Sequence, residues 1–146
     1  MPKFSVWAGR LALLYFLVGI TLGGLVLINK AVPFDFRIWF LLPLHIEFLL
    51  MGWIVQLVFA VAYWIFPRFR FEPKRGSAGF AWAALGLLNA GVWLVSLTSL
   101  LAPIPWLMLG RLLEVAAVLL FAYQLWLRTK PTETGRHFTE ERARTA

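Results

Sequence analysis

Residues 38 to 66 read IWFLLPLHIEFLLMGWIVQLVFAVAYWIF, a stretch that is almost entirely apolar. Only two of its side chains, His45 and Glu47, ionise near neutral pH. About 20 apolar residues in a helix cross the hydrocarbon core of a bilayer, so the stretch is long enough to span it. Pro43 falls in the first turn, where a missing N–H costs nothing, and Pro67 ends the run. The stretch therefore predicts a transmembrane helix.

Three further apolar runs flank this stretch, at about 7–28, 78–101 and 106–127. The first run is too long for the apolar core of a signal peptide, and no small-x-small cleavage motif follows it. The chain is 61% hydrophobic and 14% charged, whereas soluble domains carry about 25% charged residues. We therefore expect an all-α, polytopic membrane protein. It would be an up-down bundle of four transmembrane helices over 1–127, followed by a polar, flexible tail over 128–146.

The Lys and Arg residues are distributed unequally about these four runs. With the N-terminus inside, the outer side holds only Lys30 and Arg37, and Arg111 lies within the fourth run. The inner side holds the other eleven: Lys3, Arg10, Arg68, Arg70, Lys74, Arg75, Arg128, Lys130, Arg136, Arg142 and Arg144. Cytoplasmic loops carry the excess of positive residues. We expect both termini in the cytoplasm and a multi-pass protein of the cell inner (plasma) membrane.

The net charge of +7 does not indicate nucleic-acid binding, because the positive residues sit at the ends of the apolar runs. The expected partners are the lipid bilayer and other membrane proteins. The chain has no cysteine, which excludes disulfides, thiolate metal sites and covalent attachment of c-type haem.

Ionisable residues within a membrane span are costly and indicate a function or a partner. Counted along each helix, His45, Glu47, Arg111 and Glu114 all fall in the outer half of the membrane. Arg111 and Glu114, three residues apart, could form a buried pair, or Glu47 could pair with Arg111 across helices. His45 could instead be hydrated near the interface. The other histidine, His137, lies in the polar tail and is expected to be solvated.

A stripe of residues shares one face of the second predicted helix: His45, Gly52, Gln56 and Tyr63. The stripe has two interpretations. It could be a polar seam between helices, or the wall of a cofactor cleft in which Gly52 admits a flat ring.

A histidine within a span can bind haem iron, copper or zinc, or relay protons. A zinc site normally takes three or four ligands, and His45 and Glu47 do not face the same way on one helix. Haem needs only one or two axial ligands. Because the spans contain one histidine, a second ligand would be His45, Met51 or Met108 of another protomer, a residue of another subunit, or absent.

Two motifs resemble the second helix of the catalytic subunit of the haem-copper oxidase superfamily, which includes nitric oxide reductases. They are LHIEFLLMGW at Leu44–Trp53, with Gln56 after it, and AYWIFPR at Ala62–Arg68. In that family, this helix carries a histidine near its outer end that binds low-spin haem b. The resemblance implies that His45 is a haem ligand.

The resemblance covers about the first half of the chain, because LYFL at Leu14–Leu17 and the glycines Gly19, Gly23 and Gly24 are similar to the preceding family helix. The family subunit has further helices that this chain lacks. Those helices supply the binuclear centre and the partner histidine of the low-spin haem. Reduction of oxygen or nitric oxide by this chain alone is therefore excluded, and no catalytic residue is predicted.

Our leading hypothesis is a small b-type haem or metal-binding membrane protein of respiratory or denitrification electron transport. His45 would be the axial ligand, Arg111 would lie near the haem propionates and Gly52 would face the ring. Copper or zinc at His45 and Glu47 is the alternative cofactor. The protein would be a homo-oligomer or a subunit of a respiratory oxidoreductase. The competing hypothesis is a cofactor-free accessory or assembly subunit of a haem-copper oxidase or nitric oxide reductase; a carrier or proton conductor is the third.

Overall fold

The computed structural model describes residues 1–67, 75, 77–101, 104–126 and 128–129. Four helices in this part of the chain are long and apolar enough to cross a membrane, as predicted. The first span is Lys3–Ala31, the second Phe36–Ile65, the third Ala78–Leu101 and the fourth Ile104–Trp126. These are the helices of a multi-pass membrane protein. The basic loop over 68–74 and the tail over 130–146, with His137, lie outside the described residues.

The second span is not one regular α-helix. It begins as a 3₁₀ helix over Phe36–Leu41, continues as α-helix over Leu42–Glu47, widens to a π-helix over Phe48–Val55 and returns to α-helix over Gln56–Ile65. The apolar pattern did not predict the π-helical segment.

Pro43 lies in the first turn of the α-helical part, as expected. The preceding 3₁₀ turn starts the span earlier, because the Asp35 side chain accepts a hydrogen bond from the backbone N–H of Arg37 (2.8 Å). The second span therefore starts one turn or more before Pro43, and His45 lies deeper in it than the sequence suggested.

The first and second spans run antiparallel in close contact. Near the start of the first span and the end of the second, the rings of Phe4 and Tyr63 have centroids 4.7 Å apart, and near the middle Gly19 lies against Leu49. The third and fourth spans approach through glycines. A Cβ added to Gly91 would lie 2.9 Å from the carbonyl oxygen of Gly110, too close for a real contact. Small residues allow helix backbones to meet this closely in a membrane.

The apolar core lies at the end of the bundle where Phe59 and Phe121 stack, with ring centroids 4.0 Å apart. Arg128 closes this end, because its guanidinium donates to the carbonyl oxygens of Tyr63 (3.2 Å) and Pro67 (2.9 Å). The last carbonyls of a helix have no partner within the helix, so Arg128 caps the second span. Arg128 is buried, although the sequence placed it at the start of the flexible tail.

Candidate functional site

The imidazole of His45 packs against the first span. Its Nδ1 is 2.8 Å from the carbonyl oxygen of Gly19. Because a carbonyl can only accept, Nδ1 carries the proton in this bond, and in the neutral imidazole Nε2 keeps its lone pair. The ring lies directly over Gly23, where an added Cβ would overlap it. Gly23 is about 12 Å along the helix from Ala31, so the ring packs on the first span about two turns from the end of that helix.

Three ionisable residues of the second and fourth spans form one cluster, which we call the charged trio: Glu47, Arg111 and Glu114. Arg111 Nη2 lies 2.7 Å from Glu47 Oε2, and its Nη1 lies 2.7 Å from Glu114 Oε2. The predicted pair of Arg111 with Glu114 is confirmed, and so is the pair across helices with Glu47. The sequence suggested these two pairs as alternatives, whereas in the structure Arg111 forms both at once.

Burial within the trio is uneven. The side chains of Glu47 and Glu114 are 4% and 3% exposed, whereas that of Arg111 is 47% exposed. The side chain of Glu114 packs against the third span, since a Cβ added to Gly91 would be 2.7 Å from Glu114 Cγ. In each glutamate Oε2 meets Arg111, and Oε1 is buried without a hydrogen-bond partner. Two buried carboxylates thus share one half-exposed cation.

Gly52 is covered by the ring of Tyr15, because a Cβ added to Gly52 would lie 2.6 Å from Tyr15 Cγ. The flat ring that this glycine admits is therefore a side chain of the first span. The rest of the predicted stripe also contacts the first span: Gln56 donates to the carbonyl oxygen of Ala8 (3.3 Å), and Tyr63 packs on Phe4. These contacts are those of a seam between helices.

Three neutral polar side chains continue this seam to the third span, and we call them the neutral chain: Tyr15, Asn89 and Gln56. The Tyr15 hydroxyl donates to Asn89 Oδ1 (2.9 Å), and Asn89 Nδ2 donates to Gln56 Oε1 (2.8 Å). The sequence analysis missed Tyr15 and Asn89. An asparagine in an otherwise apolar run is the signal that could have found this network.

Two open clefts border these groups. One, of about 240 Å³, runs along the fourth span between the charged trio and Met51. The other, of about 200 Å³, lies beside Tyr15, Asn89 and Trp93. Neither is lined by His45.

The predicted ligands fit a haem only in part. Nε2 of His45 is free to bind iron, and a carbonyl on Nδ1 is the usual support of a metal-bound imidazole. Gly52 is covered by Tyr15, and Arg111 holds two carboxylates. Within one chain these two positions do not fit the macrocycle and its propionates.

A site for copper or zinc at His45 and Glu47 does not fit one chain either. His45 faces the first span, and Glu47 faces Arg111 on the fourth. In the part of the chain that the structure describes, three or more His, Cys, Asp or Glu side chains nowhere come together to hold a metal ion.

No protein-family model, curated protein or solved structure matches this chain. The function is therefore argued from its own residues. The likeness to the haem-copper oxidase superfamily stays an expectation from two sequence motifs.

Proposed function

We propose that this chain is a b-type haem-binding membrane protein of respiratory or denitrification electron transfer, with Nε2 of His45 as an axial ligand. The observation that carries the proposal is the 2.8 Å contact between His45 Nδ1 and the carbonyl oxygen of Gly19. It orients the ring and leaves Nε2 as the metal-binding nitrogen. The resemblance of the surrounding motif to a haem-binding helix supports the same assignment.

The residues that would contact the other face of such a haem would have to come from outside this chain. Tyr15 fills the space over Gly52, Arg111 is engaged by two glutamates, and His45 is the only histidine in the spans. A second copy would bring a second His45, and another subunit could bring a different ligand. A homo-oligomer, or a complex with a larger oxidoreductase, is therefore part of the proposal.

The absorption spectrum of the purified protein, expressed with an ample haem supply, tests the proposal. We expect a Soret band that disappears in His45→Ala, while the variant stays in the membrane. His137→Ala replaces the only other histidine and should keep the band. A colourless wild-type protein would overturn the assignment, and so would a fully bound, low-spin haem in His45→Ala.

A pair of glycine variants tests the same site without touching the ligand. A Cβ at Gly23 would overlap the imidazole of His45, whereas a Cβ at Gly24 would meet nothing within 4 Å. Gly23→Ala should lower haem content or shift the Soret band, and Gly24→Ala should leave both unchanged. Equal spectra for the two variants would argue against a haem on His45.

The second candidate is a cofactor-free accessory or assembly subunit of a larger membrane oxidoreductase. It is favoured by the engagement of Gly52 and Arg111 within the chain and by the half-exposed guanidinium on the outside of the fourth span. A colourless preparation that co-purifies with oxidoreductase subunits would select this candidate.

The arrangement in the membrane is the third part of the proposal: an up-down bundle with both termini in the cytoplasm, in the plasma membrane. Antiparallel contacts between successive spans and the excess of Lys and Arg on one side support it. Reporter fusions at Lys74 and Arg136 should be cytoplasmic, and a fusion at Phe34 should be external. An external reporter at Lys74 would reverse the orientation.

A further inference from the structure

The charged trio has one cation too few. With both carboxylates ionised, Glu47, Arg111 and Glu114 together carry a net charge of −1 within the membrane. The third span has no ionisable side chain, and Arg111 is the only Lys or Arg of the fourth. An unbalanced charge at this depth is costly unless another group compensates it.

The unbalanced charge also has free acceptor atoms. Glu47 and Glu114 are 3% and 2% exposed as whole residues, and Oε1 of each has no hydrogen-bond partner. A buried acceptor without a donor is costly, and more so when the group is charged. These two oxygens can accept a further hydrogen bond, and with both carboxylates ionised a donor that carries positive charge would also balance the trio.

A cleft of about 240 Å³ runs along the fourth span beside Glu114. Glu114 and Arg111 line one part of it, and its remaining walls are apolar: Met51, Val115, Val118 and Leu119. The fourth-span residues recur at helical spacings of three and four. Rows of side chains at these spacings form the grooves into which another helix packs. Val115 and Leu119 are 56% and 64% exposed, so this face is open to a neighbour.

A second copy of the chain does not supply the missing charge. Two copies joined at this face would bring two trios and a net charge of −2, with no additional cation. An anionic lipid headgroup would be repelled by the same excess negative charge. Charge complementarity therefore selects a foreign helix that carries a basic residue.

We propose that this cleft receives a transmembrane helix of a partner protein, with a lysine or arginine at the level of Glu114. The basic residue donates to the free carboxylate oxygen, and the partner helix covers Val115, Val118 and Leu119. If the protein is an accessory subunit, this cleft is where it would bind the larger complex. This proposal does not depend on haem, whose test is spectroscopic, so either proposal can fail without the other.

The test uses two leucine-rich helical peptides in vesicles that contain the full-length protein. One peptide has a single central lysine, the other has leucine there, and energy transfer to labelled protein reports association. An interhelical polar contact in a membrane contributes about 1–2 kcal/mol, so the lysine peptide should bind about tenfold more tightly. In Glu114→Gln this preference should vanish, and in Glu140→Gln, a change outside the spans, it should remain.

The proposal would be overturned if the wild-type protein bound the two peptides equally. It would also be overturned if the preference for the lysine peptide survived in Glu114→Gln. Energy transfer between labelled copies that depends on Glu114 would assign the face to self-association instead. Should Glu114→Gln fail to fold, the comparison of the two peptides on the wild-type protein decides independently.

Discussion

Two groups of polar side chains lie inside the bundle, and they satisfy their hydrogen bonds in different ways. In the neutral chain, hydroxyl and amide groups both donate and accept, so Tyr15, Asn89 and Gln56 bind one another across three spans. In the charged trio, carboxylates only accept, and one oxygen of each stays unpaired. Neutral polar groups can thus complete a network within one chain, whereas the two glutamates can still accept a further hydrogen bond.

The largest effect should follow removal of the shared cation. Arg111→Leu leaves two carboxylates buried without a counter-charge, and we expect a loss of about 3 kcal/mol in the free energy of unfolding. Arg10→Leu is the matched control, because that arginine is exposed and stacks over Trp7. Thermal unfolding in detergent measures both. If Arg111→Leu unfolded at the same temperature as the wild-type protein, the trio would contribute nothing to stability.

Combined replacements separate the contributions of Glu114 and Glu47. If Arg111 neutralised Glu114 alone, adding Glu114→Leu to Arg111→Leu would largely restore stability. Because Arg111 also binds Glu47, we expect the double variant to recover only part of the loss, and the triple variant with Glu47→Leu to recover more. Full recovery in the double variant would mean that the contact with Glu47 carries no energy.

A smaller effect is expected where the third span packs on Glu114. A Cβ at Gly91 would overlap the stem of Glu114 and the backbone of Gly110, whereas a Cβ at Gly86 in the same span meets nothing within 4 Å. Gly91→Ala should cost about 2 kcal/mol through overpacking, and Gly86→Ala should be neutral or slightly stabilising. Equal thermal midpoints for the two variants would contradict the close packing of the third and fourth spans.

The smallest effect should come from the neutral chain. Asn89→Leu removes the acceptor of the Tyr15 hydroxyl and the donor to Gln56 Oε1, yet interhelical hydrogen bonds in membranes contribute only about 1 kcal/mol or less. We expect a loss of about 1 kcal/mol, measured in the same detergent. Tyr15→Phe should cost less, and the two changes should not be additive, because they break the same bond. A larger loss than that of Arg111→Leu would reverse our ranking of the two groups.

Features that depend on a single helix could be predicted from the sequence. Apolar runs located the four spans, because length and composition alone decide whether a helix can cross a bilayer. The three-residue spacing of Arg111 and Glu114 predicted their pair in the same way. Positive-inside counting gave an orientation, which stays a prediction.

Contacts between helices were predicted less well, because they depend on how each helix is rotated about its axis. Glu47 was one possible partner of Arg111, and only the packed bundle brings both glutamates to the same guanidinium. The ring over Gly52 was expected to be a cofactor, and it is that of Tyr15. The likeness to a haem-binding helix could suggest His45, but it carried no information on the fourth span.

The π-helical segment over Phe48–Val55 gives the second span a different angular phase from a regular helix of the same length. In an α-helix one residue turns the chain by about 100°. Loss of a single residue between 48 and 55 could leave a continuous helix, but it would turn His45 and Glu47 by about that angle relative to Gln56 and Tyr63. The segment therefore acts as a one-residue insertion whose deletion would separate contacts on three other helices at once.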